Sequence, residues 1–319
     1  MKMHIYYDDK LLEYAGKFPD TPERLTSIIN YLKKSDLDYK IVKPSPAKKE
    51  DLLRAHDEKY LKEIEEYRRI NMYFPDEPID SKTYEIAVLS AGAAIDAAEY
   101  SLKTKEFSFA LTRPKGSHAG RNFFGGYSYI NNMAVAILRL LKKHGVTRAL
   151  IIDFDAHFCN GTNNIFVNDE RVYLLSVHQH ADSVYPYIGK ERESSKRMRY
   201  YESRLWISDK EYVNRFFEVV PKFIEECHPE IIGVCAGFNT YYKDVFFGTV
   251  SRIRDPRTYG KIGRIIDVKA KQMDIPVFGV LEGGYWVDEL GELAYNFLRA
   301  FGSESKEYLP DVVTEKRAK

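Results

Sequence analysis

An aspartate and a histidine two positions apart follow a strongly apolar run near the middle of the chain. Residues Ala149–Asp153 predict a buried strand, and Asp155 and His157 stand in the polar segment directly after it. In an open parallel α/β sheet, ligands bind just beyond the carboxyl ends of the strands. A carboxylate oxygen and an imidazole nitrogen are suitable ligands for zinc or a similar divalent ion. The pattern therefore indicates a metal site, although a strand end with a solvated aspartate and a helix cap would show the same residues.

Three further polar residues stand after predicted strands. Apolar segments that end near positions 111, 235 and 281 are followed by His118, Asn239 and Tyr285. The carboxyl ends of parallel strands meet at one edge of a sheet. We therefore expect these side chains to converge with Asp155 and His157 in one compact pocket.

Strand and helix patterns alternate along the 319 residues, and no linker rich in Pro, Gly or Ser divides them. Such alternation predicts an α/β architecture with a parallel sheet. Apolar residues make up 44% of the chain, which is enough for a sizeable core. We expect a single domain over residues 1–305, with a mainly parallel central sheet and helices on both faces. A polar tail is expected at residues 306–319.

The charge balance gives no support to nucleic acid or an anionic membrane as a partner. Lys and Arg number 48, against 47 Asp and Glu. No apolar run approaches the roughly 18 residues of a membrane-spanning helix, and the first residues lack the apolar region of a signal peptide. The three cysteines match neither a disulfide framework nor a Cys-x-x-Cys zinc site. A reducing cytoplasm is the simplest interpretation.

Short motifs in a fixed order through nearly the whole chain resemble the histone deacetylase and acetylpolyamine amidohydrolase family, which shares its fold with arginases. The motifs are Pro22–Arg24, His56–Tyr60, Ser90–Ala98, Arg113–Ala119, Gly126–Asn132, Asp153–Gly161, Ser176–His178, Ala236–Asn239 and Leu281–Tyr285. The resemblance implies a deacetylase-like domain of the arginase fold.

The resemblance also implies roles for the residues at the strand ends. Asp155, His157 and Asn239 occupy the positions that hold zinc or another divalent ion in the family. His118 matches the general base that acts on the metal-bound water, and Asn160 matches the residue that orients it. Tyr285 matches the tyrosine whose hydroxyl polarises the scissile carbonyl. Ser117 stands where the family has a second histidine, which pairs with the aspartate matching Asp153.

Other matched positions imply a substrate tunnel and a second ion. Arg24 matches an arginine of an inner channel, Asp76 an aspartate at the tunnel rim, and Gly126 and Tyr127 one wall of an acyl-lysine tunnel. A surface arginine, a solvated acid and core packing are the ordinary alternatives for Arg24, Asp76 and Tyr127. Ser176 and Val177, with the backbone of the Asp153–His157 segment, match the family's site for a structural monovalent cation such as potassium.

The chain departs from the family pattern at several chemical positions. Asn239 replaces a carboxylate, Ser117 replaces an imidazole, and Phe158 and Cys159 stand where the family has His-Gly. Residues 189–204 carry dense mixed charge instead of a Gly-rich turn, and we expect a solvated, mobile loop there, bordering the pocket mouth.

Three functional hypotheses follow from this pattern. The first is a metal-dependent amidohydrolase that acts on a small acylated amine or acyl-lysine, with an activity weakened or altered by Ser117 and Asn239. The second is a catalytically inactive pseudoenzyme that binds a ligand or a partner. The third is another hydrolase on the same scaffold, such as a guanidino hydrolase, whose two-metal site needs more Asp and His than this chain supplies. The oligomeric state does not follow from the sequence.

Overall fold

The computed structural model describes residues 2–14, 16–70 and 78–302, with the backbone alone for residues 68–70. Asp76 and the predicted tail at residues 306–319 lie outside these residues. The expectations for them therefore stay predictions.

Eight parallel strands form the central sheet of the described chain. They are β1 (Met3–Tyr6), β2 (Tyr39–Val42), β3 (Ser108–Ala110), β4 (Ala149–Asp153), β5 (Val172–Gln179), β6 (Met198–Ser203), β7 (Ile231–Ala236) and β8 (Val277–Leu281). Their order across the sheet is β2-β1-β3-β8-β7-β4-β5-β6, and every neighbouring pair is parallel. The predicted α/β domain with a mainly parallel sheet is confirmed.

The helices cover both faces of this sheet. They are α1 (Glu23–Leu32), α2 (Lys49–Ala55), α3 (Glu58–Ile70), α4 (Thr83–Thr104), α5 (Asn132–Lys143), α6 (Asn160–Phe166), α7 (Asp209–Cys227), α8 (Arg257–Gln272) and α9 (Val287–Gly302). α1, α9, α8 and α7 contact one another in that series, while α2, α4, α5 and α6 pack as a second group around α5. Successive residues of a strand point to opposite faces. Because every residue of β4, β7 and β8 is buried, both faces are covered.

The expectation of a solvated loop at residues 189–204 is wrong for much of this segment. Its second half forms β6, the edge strand that pairs with β5. Met198 and Tyr200 are buried, while Arg199 and Tyr201 are partly exposed. This alternation is typical of an edge strand with one face against the core. Residues 189–197, which carry most of the charge, precede the strand, whereas residues 198–203 belong to the sheet.

The residues with described structure include no helix with the length and apolar composition needed to cross a lipid bilayer. Cys159, Cys227 and Cys235 are all buried, and none forms a disulfide.

Candidate functional site

A pocket of about 520 Å³ opens at the carboxyl ends of the central strands. This volume is within the range of about 300–1,000 Å³ that small-molecule sites occupy. Lys115, His118, His157 and Tyr285 contribute its buried part. Aromatic side chains line the remainder, among them Tyr127, Tyr185, Tyr187 and Phe247. The lining therefore combines a few polar groups with an aromatic wall.

Asp155, His157 and Asn239 lie together beneath this pocket because β7 and β4 are neighbours in the sheet. Asn239 Nδ2 donates to Asp155 Oδ1 at 2.8 Å and lies 3.1 Å from His157 Nδ1. The two remaining acceptor atoms, Asp155 Oδ2 and Asn239 Oδ1, accept the backbone N–H groups of Gly283 and Ala156, each at 2.8 Å. The three side chains are thus hydrogen-bonded to one another, while His157 Nε2 is buried and has no partner among the described residues.

This set does not fit a divalent ion. The Ala156 N–H needs an acceptor, so the amide of Asn239 must place Oδ1 there and turn its NH₂ group towards Asp155 and His157. An amide nitrogen of this kind donates and offers a metal no lone pair. No group of three His, Cys, Asp or Glu side chains in the described part of the chain is arranged to hold a metal ion. The family's zinc and potassium sites therefore stay sequence-based expectations for this chain.

His118 turns one nitrogen towards the pocket and the other towards α6. Its Nδ1 lies 2.7 Å from Oδ1 of Asn160, the first residue of α6. Because a carboxamide oxygen accepts, Nδ1 carries the proton and Nε2 of the neutral ring keeps a lone pair. Nε2 is buried and has no hydrogen-bond partner among the described residues. Burial, followed by the charge of Lys115, holds the pKa of His118 well below its usual value, so the ring is neutral at pH 7.

Ser117 and Asp153 lie behind the pocket without bonding to each other. Ser117 Oγ and Asp153 Oδ2 are both buried and have no hydrogen-bond partner within the described structure. Asp153 Oδ1 accepts the backbone N–H of Asp155 at 2.9 Å. Burial and the nearby charges of Asp155 and Glu282 raise the pKa of Asp153 well above its usual value, so this carboxyl favours its neutral form.

The loop after β8 fixes Tyr285 at the pocket. Asp244 accepts the backbone N–H groups of Tyr285 and Trp286. Arg24 is fully buried on the other side of Tyr285, with its guanidinium carbon 4.7 Å from the ring centre. Burial raises the pKa of the Tyr285 hydroxyl, so it remains a protonated donor. Arg24 shapes this loop and is not among the residues that line the pocket.

Gly126 and Tyr127 lie beside His118, where the chain turns with positive φ angles of 52° and 60°. A Cβ on Gly126 would lie 2.5 Å from His118 Cδ2. The Tyr127 ring packs against Phe247, with 5.5 Å between their centres. Phe158 points away from the pocket, against His178 and Tyr200.

Sequence reasoning missed Lys115 and the aromatic residues of the pocket. Lys115 is only 2% exposed, and its Nζ lies 6.0 Å from the Tyr285 ring centre. The available signal was that Lys115 lies in the same segment after β3 as His118. Tyr185 and Tyr187 lie in a turn and Phe247 lies in a short 3-10 helix, and no sequence pattern directs these segments towards the site.

Comparisons with known proteins identify the family of this chain. The family model described as a histone deacetylase domain matches residues 18–301. A probable deacetylase of Archaeoglobus fulgidus is 31% identical over 336 aligned positions, which cover 98% of this chain and 91% of that protein. Acetylpolyamine amidohydrolase 1 of Pseudomonas aeruginosa is 26% identical, with coverage of 94% and 98%.

A solved structure has the same fold. The crystal structure of the HDA15 HD domain superimposes with a TM-score of 0.86 and covers 96% of this chain and 93% of its own. At 24% identity this likeness concerns the fold alone.

Proposed function

The chain belongs to the histone deacetylase family, and we propose that it acts on an acylated amine that enters the pocket described above. The proposed activity is hydrolysis of the amide bond, weaker than or altered from that of a metal-dependent deacetylase. The family generally depends on a metal ion, whereas the donor set of Asp155, His157 and Asn239 does not fit one. The proposal therefore assigns the chemistry to residues that the chain itself contributes.

The observation that carries the proposal is the buried lone pair of His118 in the same pocket as the Tyr285 hydroxyl. His118 Nε2 takes a proton from a water molecule while the oxygen of that water attacks the carbonyl carbon. Tyr285 donates to the carbonyl oxygen, where negative charge develops. The C–N bond then breaks, and the proton on His118 passes to the leaving amine. The products are a carboxylic acid and a free amine.

The aromatic wall supports an amine with an extended aliphatic chain as the substrate. Tyr127 is buried, while Tyr187 is 64% exposed and Phe247 39% exposed at the open end. Such rings pack against methylene groups, and their faces attract an ammonium group. The relatives named for acetylpolyamines act on molecules with both features. An acyl-lysine side chain has the first feature alone.

A second candidate function is binding without turnover. The orientation of the Asn239 amide favours it, because this amide ties the two remaining family ligands to each other. In this case the pocket retains the recognition of an acylated amine, and the protein responds to the ligand without cleaving it.

One set of assays tests the two candidates. Binding of acetylated polyamines and of acetyl-lysine peptides is measured by calorimetry, and release of the free amine is measured on the same panel. We expect His118→Gln to lower hydrolysis by at least about 100-fold, because a general base contributes about 10²–10⁴-fold. His144→Gln, at a partly exposed position away from the pocket, is the control.

The outcomes separate the hypotheses. Turnover that survives both His118→Gln and Tyr285→Phe contradicts the proposed mechanism. Binding without turnover across the panel supports the second candidate. If no acylated amine binds, both candidates fail.

A further inference from the structure

The pocket contains the ammonium group of a buried lysine, Lys115. Lys115 is buried, and its side chain lines the pocket together with His118, His157 and Tyr285. No ion pair within 4.0 Å joins it to a carboxylate among the described residues. Lys115 is therefore a charged group held inside the pocket without a dedicated salt-bridge partner. A lysine is almost never fully buried unless it is paired, so a buried lysine with no carboxylate partner is expected to bind a group that enters the pocket.

The charge of Lys115 acts on the groups that surround the site. The Glu282 carboxyl accepts the backbone N–H groups of Gly116 and Ser117, each at 3.1 Å, so it lies beside the segment that carries Lys115. Burial raises the pKa of Glu282, and the positive charge of Lys115 is the strongest opposing influence on that pKa.

The charges of the site also match a single ammonium group. Two carboxylates and a neutral imidazole would balance a divalent ion. Here Asn239 replaces one carboxylate, so Asp155 is the single charged member of the ligand set. One ammonium group balances one carboxylate, and Lys115 supplies it. A divalent ion added to this arrangement would bring two further positive charges next to Lys115, at a cost that is large in a buried site.

We propose that the ammonium group of Lys115 is the resident cation of this site and that it, with the Tyr285 hydroxyl, holds the carbonyl oxygen of the acyl group. The site is then independent of divalent metal ions. Lys115 Nζ lies 6.0 Å from the centre of the Tyr285 ring, and both side chains line the same pocket, so an acyl group that fills this pocket meets both of them. The assignment of the ligand as an acylated amine rests on the proposed function; the exclusion of metal does not.

The first experiment measures ligand binding without metal. Calorimetry with an acetylated polyamine is carried out on the wild-type protein after dialysis against EDTA, and again with added zinc or cobalt(II). We expect the same affinity under all conditions. Lys115→Met keeps much of the length and apolar contact of the side chain and removes the charge. We expect it to weaken binding by at least about tenfold, because hydrogen bonds to charged groups contribute more than neutral ones.

Lys115→Gln is the second variant, because it retains a donor without the charge and guards against a packing defect in Lys115→Met. Both variants are checked for folding by circular dichroism and thermal unfolding. The inference is overturned if EDTA abolishes wild-type binding and a divalent ion restores it. It is also overturned if folded Lys115→Met and Lys115→Gln bind as tightly as the wild type.

The second experiment needs no ligand, so it stands even if no acylated amine binds. Cobalt(II) affinity, followed by visible absorption, is compared between Asn239→Asp and the double variant Lys115→Met with Asn239→Asp. Both variants have the second carboxylate, and they differ only in the ammonium group. We expect the double variant to bind cobalt(II) at least about tenfold more tightly, since like charges close together repel by more than 1 kcal/mol in a buried site. Equal affinities would overturn the inference.

Discussion

The guanidinium carbon of Arg24 lies 4.7 Å from the centre of the Tyr285 ring, with Arg24 wholly buried beneath it. Arg24 Nε donates to the carbonyl oxygen of Gly284 at 2.6 Å, Nη1 donates to Asp20 at 2.6 Å, and Nη2 donates to the carbonyl oxygen of Glu282. All three nitrogen atoms of the Arg24 guanidinium group therefore donate hydrogen bonds. Arg24 holds the loop that carries Tyr285, and of the two residues only Tyr285 lines the pocket.

Arg24→Lys tests this role. A lysine has one ammonium group and cannot reproduce the planar fork of donors. Lysine keeps the charge opposite Asp20 but cannot also donate to the carbonyl oxygens of Gly284 and Glu282, and a buried acceptor left without a donor costs about 1–3 kcal/mol. We therefore expect a loss of unfolding free energy of this size in denaturant titrations. Arg299→Lys is the control, since Arg299 lies 3.8 Å from Asp36 at the surface and should change stability by less than about 1 kcal/mol. Equal stability of the Arg24→Lys variant and the wild type would contradict the role.

Gly126→Ala tests the close contact beside His118. Its Cβ would lie 2.5 Å from His118 Cδ2, so the imidazole must move. Gly145 is a matched control, because it also has a positive φ, of 72°, but its added Cβ meets nothing within 4 Å. Both substitutions should cost about 1–2 kcal/mol of stability from the backbone conformation alone. We expect only Gly126→Ala to weaken acyl-amine binding or hydrolysis, measured with the same panel.

The stability of the protein should fall as the pH drops from 6.5 to 4, in part because of His56. Asn131 N–H donates to His56 Nε2, and Nδ1 lies 2.8 Å from the carbonyl oxygen of Gly120, so the buried ring is neutral and satisfied. Burial lowers the pKa of His56 from 6.5 to about 4. Between these values the unfolded chain binds a proton on His56 and the native chain does not. The stability that the neutral ring contributes is thus present above pH 6.5 and is lost as the pH falls through 4.

The size of this loss is up to about 3 kcal/mol for His56, because each unit of pKa difference corresponds to about 1.4 kcal/mol. Burial lowers the pKa of His178 to about 4 as well, and it adds a loss in the same direction. Urea unfolding at a series of pH values measures the sum. His56→Gln should flatten the slope of the unfolding free energy against pH between pH 6.5 and 4. This holds whatever the stability of the variant at pH 8. A slope equal to that of the wild type would show that His56 does not titrate in this way.

Asn239→Asp should destabilise the protein when no metal is added. The change removes the NH₂ group that donates to Asp155 and places a second carboxylate against it. Loss of a buried hydrogen bond costs about 1–3 kcal/mol, and repulsion between the carboxylates adds to this at neutral pH. Asn163→Asp is a suitable control, because Asn163 uses its oxygen to accept from the Tyr200 hydroxyl, which an aspartate also does. We expect thermal unfolding to distinguish the two variants clearly at pH 7 and less at pH 4.

The sequence allowed prediction of the sheet and of the place where the polar residues meet. The strand Ala149–Asp153 and the polar residues after it can be recognised from residues that are neighbours in the sequence. Parallel strands then bring their carboxyl ends together at one edge of the sheet. The orientation of the Asn239 amide depends instead on one backbone N–H at Ala156, 83 positions away, and no local pattern contains it. β6 was missed because the charged residues Arg199 and Glu202 interrupt its pattern of apolar side chains. Lys115 was missed because the burial of a lysine depends on residues from distant loops.

The loop that carries Lys115, Ser117 and His118 is held from behind by groups outside the pocket. Glu282 accepts the backbone N–H groups of Gly116 and Ser117, each at 3.1 Å, and Arg113 bonds to the carbonyl oxygens of Tyr14 and Asp20. These hydrogen bonds are made by the loop backbone and by Arg113, and they do not involve the side chains at positions 115 and 117. Positions 115 and 117 are therefore natural starting points for directed evolution of new specificities on this scaffold.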